Sequence, residues 1–253
     1  MLKDFTKEKF DILIIAGQSN SEGTGFGPVD VPYEPNEQIW YLNGDFTISN
    51  AVEFVQGNAI KSMFGLSFAR EYLEKGLLQE GRKILILRCA VGATGFLDNR
   101  WKHTDDLYLR MIEMIQTALS LNEENRLVAL LWHQGETDAR LNISYEVYYH
   151  HLMTLVRSVD ERFAMPDLPF IAADFVPKWK QMNMEIATPV SDAIRAVCRD
   201  YEHGVFVETE GLQSNAEAMV PGRPDDMIHF SRRSLYELGE RYFAAYQKVM
   251  NQV

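Results

Sequence analysis

Apolar residues in this chain fall into short unbroken runs, separated by longer stretches in which they recur every three or four positions. The runs Asp11 to Ala16, Lys83 to Cys89, Leu127 to Trp132, Pro169 to Ala173 and Gly204 to Glu208 are mostly rich in Ile, Leu and Val without alternation. That pattern predicts strands buried on both faces. The recurring positions trace one stripe each on five helices: Leu66, Ala69, Leu73 and Leu77; Tyr108, Met111, Ile112, Ile115 and Leu119; Tyr148, Leu152, Leu155, Val159 and Phe163; Val190, Ile194, Val197 and Tyr201; Leu235, Leu238, Tyr242, Ala245 and Val249. Strands alternating with helices imply βαβ units, hence an α/β fold: a three-layer α/β/α sandwich around a five-stranded parallel sheet. Right-handed crossovers leave few strand orders, of which the flavodoxin-like 2-1-3-4-5 is the common one, with its ligand site beyond the C-terminal ends of the strands. Ser21 to about Ala59 and Thr209 to Ile228 interrupt the alternation and are expected as long loops at that same edge.

The chain has 253 residues, no internal duplication and no Pro/Gly/Ser-rich linker, so residues 1–253 are expected to form a single domain. Hydrophobic residues at 46% and charged ones at 24% fit an ordinary globular protein and exclude disorder. The net charge of −11 repels polyanions, so nucleic acid and anionic membranes are poor partners, while the oligomeric state is left open. Charges at Lys3, Asp4, Lys7, Glu8 and Lys9 break up what would be the apolar part of a secretory signal, and no run approaches about 18 apolar residues. A cytoplasmic location is expected. Cys89 and Cys198 both occupy apolar positions, which favours two buried thiols over a disulfide.

A parallel sheet demands that reactive residues follow several different strands. Gly17-Gln18-Ser19-Asn20 follows the first, Gly92-Ala93-Thr94-Gly95 the second, His133-Gln134-Gly135-Glu136 the third, and Asp226-Met227-Ile228-His229 comes beyond the fifth. A serine nucleophile needs a base within hydrogen-bond reach and a third group to orient that base, roles open to Ser19, His229 and Asp226. On its own, Ser19 reads equally as a turn residue, Asp226 as a helix cap and His229 as a surface side chain. Attack on an ester also requires donors about 3 Å from the developing oxyanion. Ser19 N–H, Gly92 N–H and the Gln134 side-chain amide are the candidates. Gln18 and Glu136 are candidate supports for the site. Arg100 and Trp101, shortly after the Gly92 turn, are candidates for contact with a sugar, with core packing the alternative for Trp101.

These blocks resemble the SGNH hydrolases, and within them the sialic acid 9-O-acetylesterase-like branch, which is also grouped with acetyl xylan esterases. Gly17-Gln18-Ser19-Asn20 is similar to that branch's GQSN block, His133-Gln134-Gly135-Glu136 to its HQGE block, Asp226 to His229 to its final DxxH, and Gly65-Leu66-Ser67-Phe68-Ala69-Arg70 to its first long helix. The resemblance implies a hydrolase without metal or cofactor that removes acetyl groups from a small sugar or oligosaccharide. It further implies that Ser19 attacks, His229 moves the proton, Asp226 holds His229, and Ser19, Gly92 and Gln134 bind the oxyanion. One block departs: Gly92 is followed by Ala93-Thr94 where the branch often has Gly-Gly-Thr, so a shifted loop would make Ala93 the amide donor.

Three other readings are weaker. Gly23, Gly25 and Gly27 suggest a nucleotide-binding domain, but the phosphate-cradling spacings GxGxxG and GxxxxGK[ST] are missing. A metal hydrolase lacks an HExxH, and His150-His151 have no ligand spacing. A non-catalytic sugar-binding protein, stacking Trp40, Trp101 or Trp179 on its ligand, would have no use for the Ser, Asp and His together. Sialic acid, xylo-oligosaccharide and other acetylated sugars all remain open as substrates.

Overall fold

The computed structural model describes residues 4–251, so Met1, Leu2 and Lys3 of the N-terminal segment lie outside it. In chain order the elements are β1 (Lys9–Gly17), α1 (Ser19–Glu22), β2 (Gly25–Phe26), β3 (Ile39–Leu42), β4 (Ile48–Asn50), β5 (Phe54–Gln56), β6 (Ala59–Ser62), α2 (Phe64–Glu74), β7 (Arg82–Arg88), α3 (Asp106–Ser120), β8 (Arg126–His133), α4 (Glu136–Arg140), α5 (Tyr145–Phe163), β9 (Phe170–Ala173), α6 (Pro177–Met182), α7 (Met184–Asp200), β10 (Gly204–Val207) and α8 (Arg232–Met250).

The five apolar runs form β1, β7, β8, β9 and β10, and these lie in the order 2-1-3-4-5, all parallel. The sheet is larger than the expected five strands, however, and it is mixed. Its order is β10-β9-β8-β1-β7-β3-β4, with β3 parallel to β7 and β4 antiparallel to β3. The additions come from the stretch expected to be a loop. Ile39-Trp40-Tyr41-Leu42 pairs with the open edge of β7, and the Asn43–Thr47 turn, where Asn43 N–H donates to Thr47 O, returns the chain as β4. A second small sheet, β2-β6-β5, also arises from that stretch.

Adjacent residues of β8 show how the layers are divided, because successive strand side chains point to opposite faces. Trp132 meets Phe96 and Trp101 and donates to Tyr148 of α5, whereas His133 packs against Phe64 of α2 and lies near Tyr242 of α8. Helices α2 and α8 therefore cover one face and α5 the other, joined there by α3 through Tyr108 Oη to Ser158 Oγ. The glycine-rich stretch has a packing reason: a Cβ on Gly25 would lie 2.6 Å from Leu235 Cδ1 of α8. Both cysteine thiols are free, buried, and pushed up to about 12 by that burial.

At the N-terminal end of the sheet, Asp11 is fully buried yet ionised. Burial would raise its pKa, but hydrogen bonds from Arg126, Tyr72 and Arg82 more than offset that and hold it below the usual carboxylate value. The opposite end gathers the post-strand turns side by side, since Gln18 N–H donates to His133 O and Val91 N–H to Gly17 O.

Candidate active site

Ser19 sits where β1 turns sharply into α1. Gly17 at that turn has φ +123°, and a Cβ on it would stand 2.1 Å from His133 O, so the strands can approach this closely only at glycine. Ser19 opens the four-residue α1, where its N–H belongs to the amides that a helix leaves without an internal partner. Its Oγ lies 3.0 Å from His229 Nε2, and His229 Nδ1 lies 2.7 Å from Asp226 Oδ1. Residues 210 positions apart are thus joined in one chain of hydrogen bonds. Burial would raise the Asp226 carboxyl, but bonds from His229 and Asn215 outweigh it and hold the group below its ordinary value. An ionised Asp226 accepts a hydrogen bond from Nδ1–H and so keeps the ring proton on Nδ1, which leaves Nε2 as the acceptor facing Ser19 Oγ–H.

Two asparagines brace this arrangement. Asn20 accepts from Phe230 N–H and donates to Ile228 O and to Glu136 Oε1, so it ties the nucleophile turn to the segment carrying His229. Asn215 donates to Asp226 Oδ2 at 2.9 Å and to Thr24 O, and its Oδ1 accepts from Phe26 N–H. Nothing in the pattern of residues 209–228 marked Asn215.

Two of the three expected oxyanion donors, Gly92 and Gln134, are already engaged. Gly92 adjoins Ser19: a Cβ on Gly92 would lie 3.7 Å from Ser19 Cβ. Its N–H donates to Glu22 Oε2 at 2.8 Å. Ala93, at φ +57°, has an N–H with no acceptor among the described residues. Gln134 is 1% exposed and faces inward, its Nε2 donating to Asp138 Oδ2 at 2.8 Å and Thr94 O at 3.1 Å while its Oε1 accepts from Tyr148. Both amide protons of Gln134 are thereby spent. Gln18 Oε1 accepts from Thr137 N–H and lies 3.3 Å from Gln134 Nε2, a geometry that fixes which end of the Gln18 amide is oxygen. Its Nε2 has no acceptor among the described residues.

Glu136 supports rather than lines the site. It is buried, which raises its pKa, and Oε2 has no partner among the described residues. His133 stands 3.9 Å away and is pushed down to about 4 by burial, so it is neutral at pH 7. Because the unfolded chain takes up this proton near pH 6.5 and the folded chain near 4, stability should be full above pH 6.5 and fall by roughly 3 kcal/mol as pH drops to 4. Urea unfolding at pH 7 and pH 4.5 tests this, with a flatter dependence expected for His133→Phe.

The two proposed sugar contacts are not brought to Ser19. Trp101 is 0% exposed, donates to Thr94 Oγ1 and packs edge-on against Trp132, so it is a core residue and not a stacking platform. Arg100 is bound through two nitrogens to Asp106. Among the described residues, no three His, Cys, Asp or Glu side chains converge as metal ligands.

The model of the carbohydrate esterase family described as sialic acid-specific acetylesterase (SASA) matches residues 9–248. A probable carbohydrate esterase of Arabidopsis thaliana is 24% identical over 233 residues, covering 83% of this chain and 85% of that one. The crystal structure of NanS superimposes with a TM-score of 0.79 at 16% identity, over 98% of this chain and 99% of the other. A carbohydrate acetylesterase from Xanthomonas citri does so at 0.64 and 16% identity, over 96% of this chain and 57% of the other. With nearly its whole length matched by one family model, the chain belongs to the carbohydrate esterase family of sialic acid-specific acetylesterases.

Proposed function

We propose that this carbohydrate acetylesterase deacetylates its sugar through a covalent acetyl-enzyme on Ser19. Ser19 Oγ attacks the acetyl carbonyl carbon while His229 Nε2 takes the hydroxyl proton, and the carbonyl oxygen becomes an oxyanion. As the carbon–oxygen bond to the sugar breaks, His229 returns that proton to the departing sugar oxygen. Water then adds to the acetyl-enzyme with His229 as base, and acetate leaves with Ser19 restored. Asp226 keeps its negative charge throughout and holds the imidazolium.

The oxyanion donors in this scheme are the N–H groups of Ser19 and Gly92 and the Nε2 of Gln18. Gln18 takes the side-chain amide role, because both Gln134 protons are committed. Gly92 becomes available when Glu22 releases it. For the sugar we favour the open cleft of about 560 Å³ lined by Phe26, Gln56, Asn58, Pro221 and Arg223, since Arg223 also stands 3.8 Å from Asp226. A cavity of about 520 Å³ at the N-terminal end of the sheet, lined by Tyr72, Leu127 and Met165, lies where parallel α/β folds do not place their chemistry.

The observation that carries this reading is the unbroken contact from Ser19 through His229 to Asp226. Intact-mass spectrometry after fluorophosphonate treatment tests it. One adduct on the wild type and none on Ser19→Ala is the expected result; labelling at another residue, or equal labelling of both proteins, would remove the proposal.

A further inference from the structure

Arg88, at the end of β7, and Arg110, on α3, line one polar cavity of about 210 Å³ with Ser21, Glu22, Gly44 and Val91. The cavity lies directly behind the nucleophile turn: Ser21 and Glu22 belong to α1, and Glu22 Oε2 is bonded to the N–H of Gly92 beside Ser19. Arg82 and Arg232, two other arginines drawn into the interior, each meet a carboxylate. Arg88 and Arg110 form no ion pair among the described residues. Arg88 Nη1 donates to Asn43 Oδ1 and Arg110 Nη2 to Cys89 O, both neutral acceptors, and the Nε of each is buried without any acceptor among the described residues. The Arg88 guanidinium is also held over the rings of Phe54 and Tyr41 at 4.2 and 5.2 Å. Burial pulls it below its ordinary pKa, and Glu22 and Asp45, two carboxylates close enough to act on it, offset that only in part.

Two guanidinium groups drawn partly out of water with no carboxylate in direct contact are costly to keep, and a planar anion with two oxygens is the ligand that their fork of donors holds best. We propose that Arg88 and Arg110 form a binding site for a small carboxylate immediately behind Ser19. The carboxylate has two sources: the acetate that the reaction releases, or a carboxylate carried by the sugar. Glu22 already presents a carboxylate in the lining of this cavity, so an arriving anion competes with it. The acetate source rests on the deacetylation reading; the binding itself does not.

The first arm uses full-length Ser19→Ala, in which no hydrolysis is read. Sodium acetate, set against sodium chloride at equal ionic strength, should raise the unfolding midpoint saturably. Adding Arg110→Met should weaken the apparent affinity roughly ten-fold or more, with Arg88→Lys as a second variant, and Glu22→Gln should tighten it. The second arm compares hydrolysis of an O-acetylated uronic acid and the matching neutral sugar by wild type and Arg110→Met. A rise of roughly ten-fold in KM for the acidic sugar alone assigns the site to the sugar's carboxylate. Acetate binding lost in Arg110→Met, with both sugars handled alike, assigns it to released acetate. Acetate no more effective than chloride, together with an acidic-to-neutral ratio unchanged by Arg110→Met, would overturn the proposal. Acetate binding that persists in a protein inactive on both sugars would instead sink the deacetylation reading and leave the carboxylate site standing.

Discussion

Ser19→Ala should lower kcat on an O-acetylated sugar, and on p-nitrophenyl acetate, by about 10⁴- to 10⁶-fold. The loss is this large because no other hydroxyl stands in for it. Ser21, two residues on in the same turn, commits its Oγ to the carbonyls of Ala16 and His133. Residual hydrolysis would come from amides that still polarise the carbonyl, with water in place of the side chain. Stability should change by no more than about 1 kcal/mol, because the hydroxyl makes one hydrogen bond, to the partly exposed His229. Steady-state kinetics with a urea unfolding curve checks both halves. A loss of less than about ten-fold in a folded variant would show that Ser19 is not the nucleophile.

The strands legible in the chain are those buried on both faces. β1, β7 and β8 form the middle of the sheet, and their unbroken apolar runs follow from having helices above and below. β3 was not legible, because it is four residues long, sits in a polar stretch, and owes its existence to the open edge of β7 about 45 positions away in the pairing Ile39 to Ile84. β4 has one half-buried residue and two exposed ones, so its pattern carries no periodicity at all. Pairing with a neighbour, not local preference, makes both of them strands.

The site divides in the same way. Ser19, Asp226 and His229 could be placed together from the chain because a parallel sheet delivers every post-strand turn to one edge. Side-chain direction could not. Gln134 follows β8 as expected, but Tyr148 and Asp138 draw its amide inward, and the free amide is that of Gln18. Trp101 lies a few residues after Gly92, yet Trp132 and Thr94 hold it in the core. Glu22 on the Gly92 N–H and Asn215 on Asp226 are contacts across the long irregular segments, where neither spacing nor composition carries a signal.

Asn215 makes the outcome of Asp226→Asn unusually specific. Its Oδ1 is fixed by Phe26 N–H, so its Nδ2 must face position 226 as a donor. An asparagine side chain placed there has to answer with its oxygen, which turns its own NH₂ toward His229 Nδ1. That nitrogen becomes an acceptor, the ring proton moves to Nε2, and Nε2 can no longer take the proton of Ser19. We expect kcat/KM to fall about 10³- to 10⁴-fold with the fold intact. The wild-type carboxylate, held below its ordinary pKa, favours the folded state above about pH 4 and loses that advantage as pH falls through its lowered value, so the variant should close the stability gap in acid. Adding Asn215→Asp supplies an acceptor for the amide introduced by Asp226→Asn, lets that side chain turn its oxygen to His229 Nδ1–H, and should return activity about ten-fold. Recovery in the double variant assigns the loss to the tautomer of His229. Without recovery, the missing charge on Asp226 is what counts, and Asn215 is then a brace for the carboxylate and nothing more.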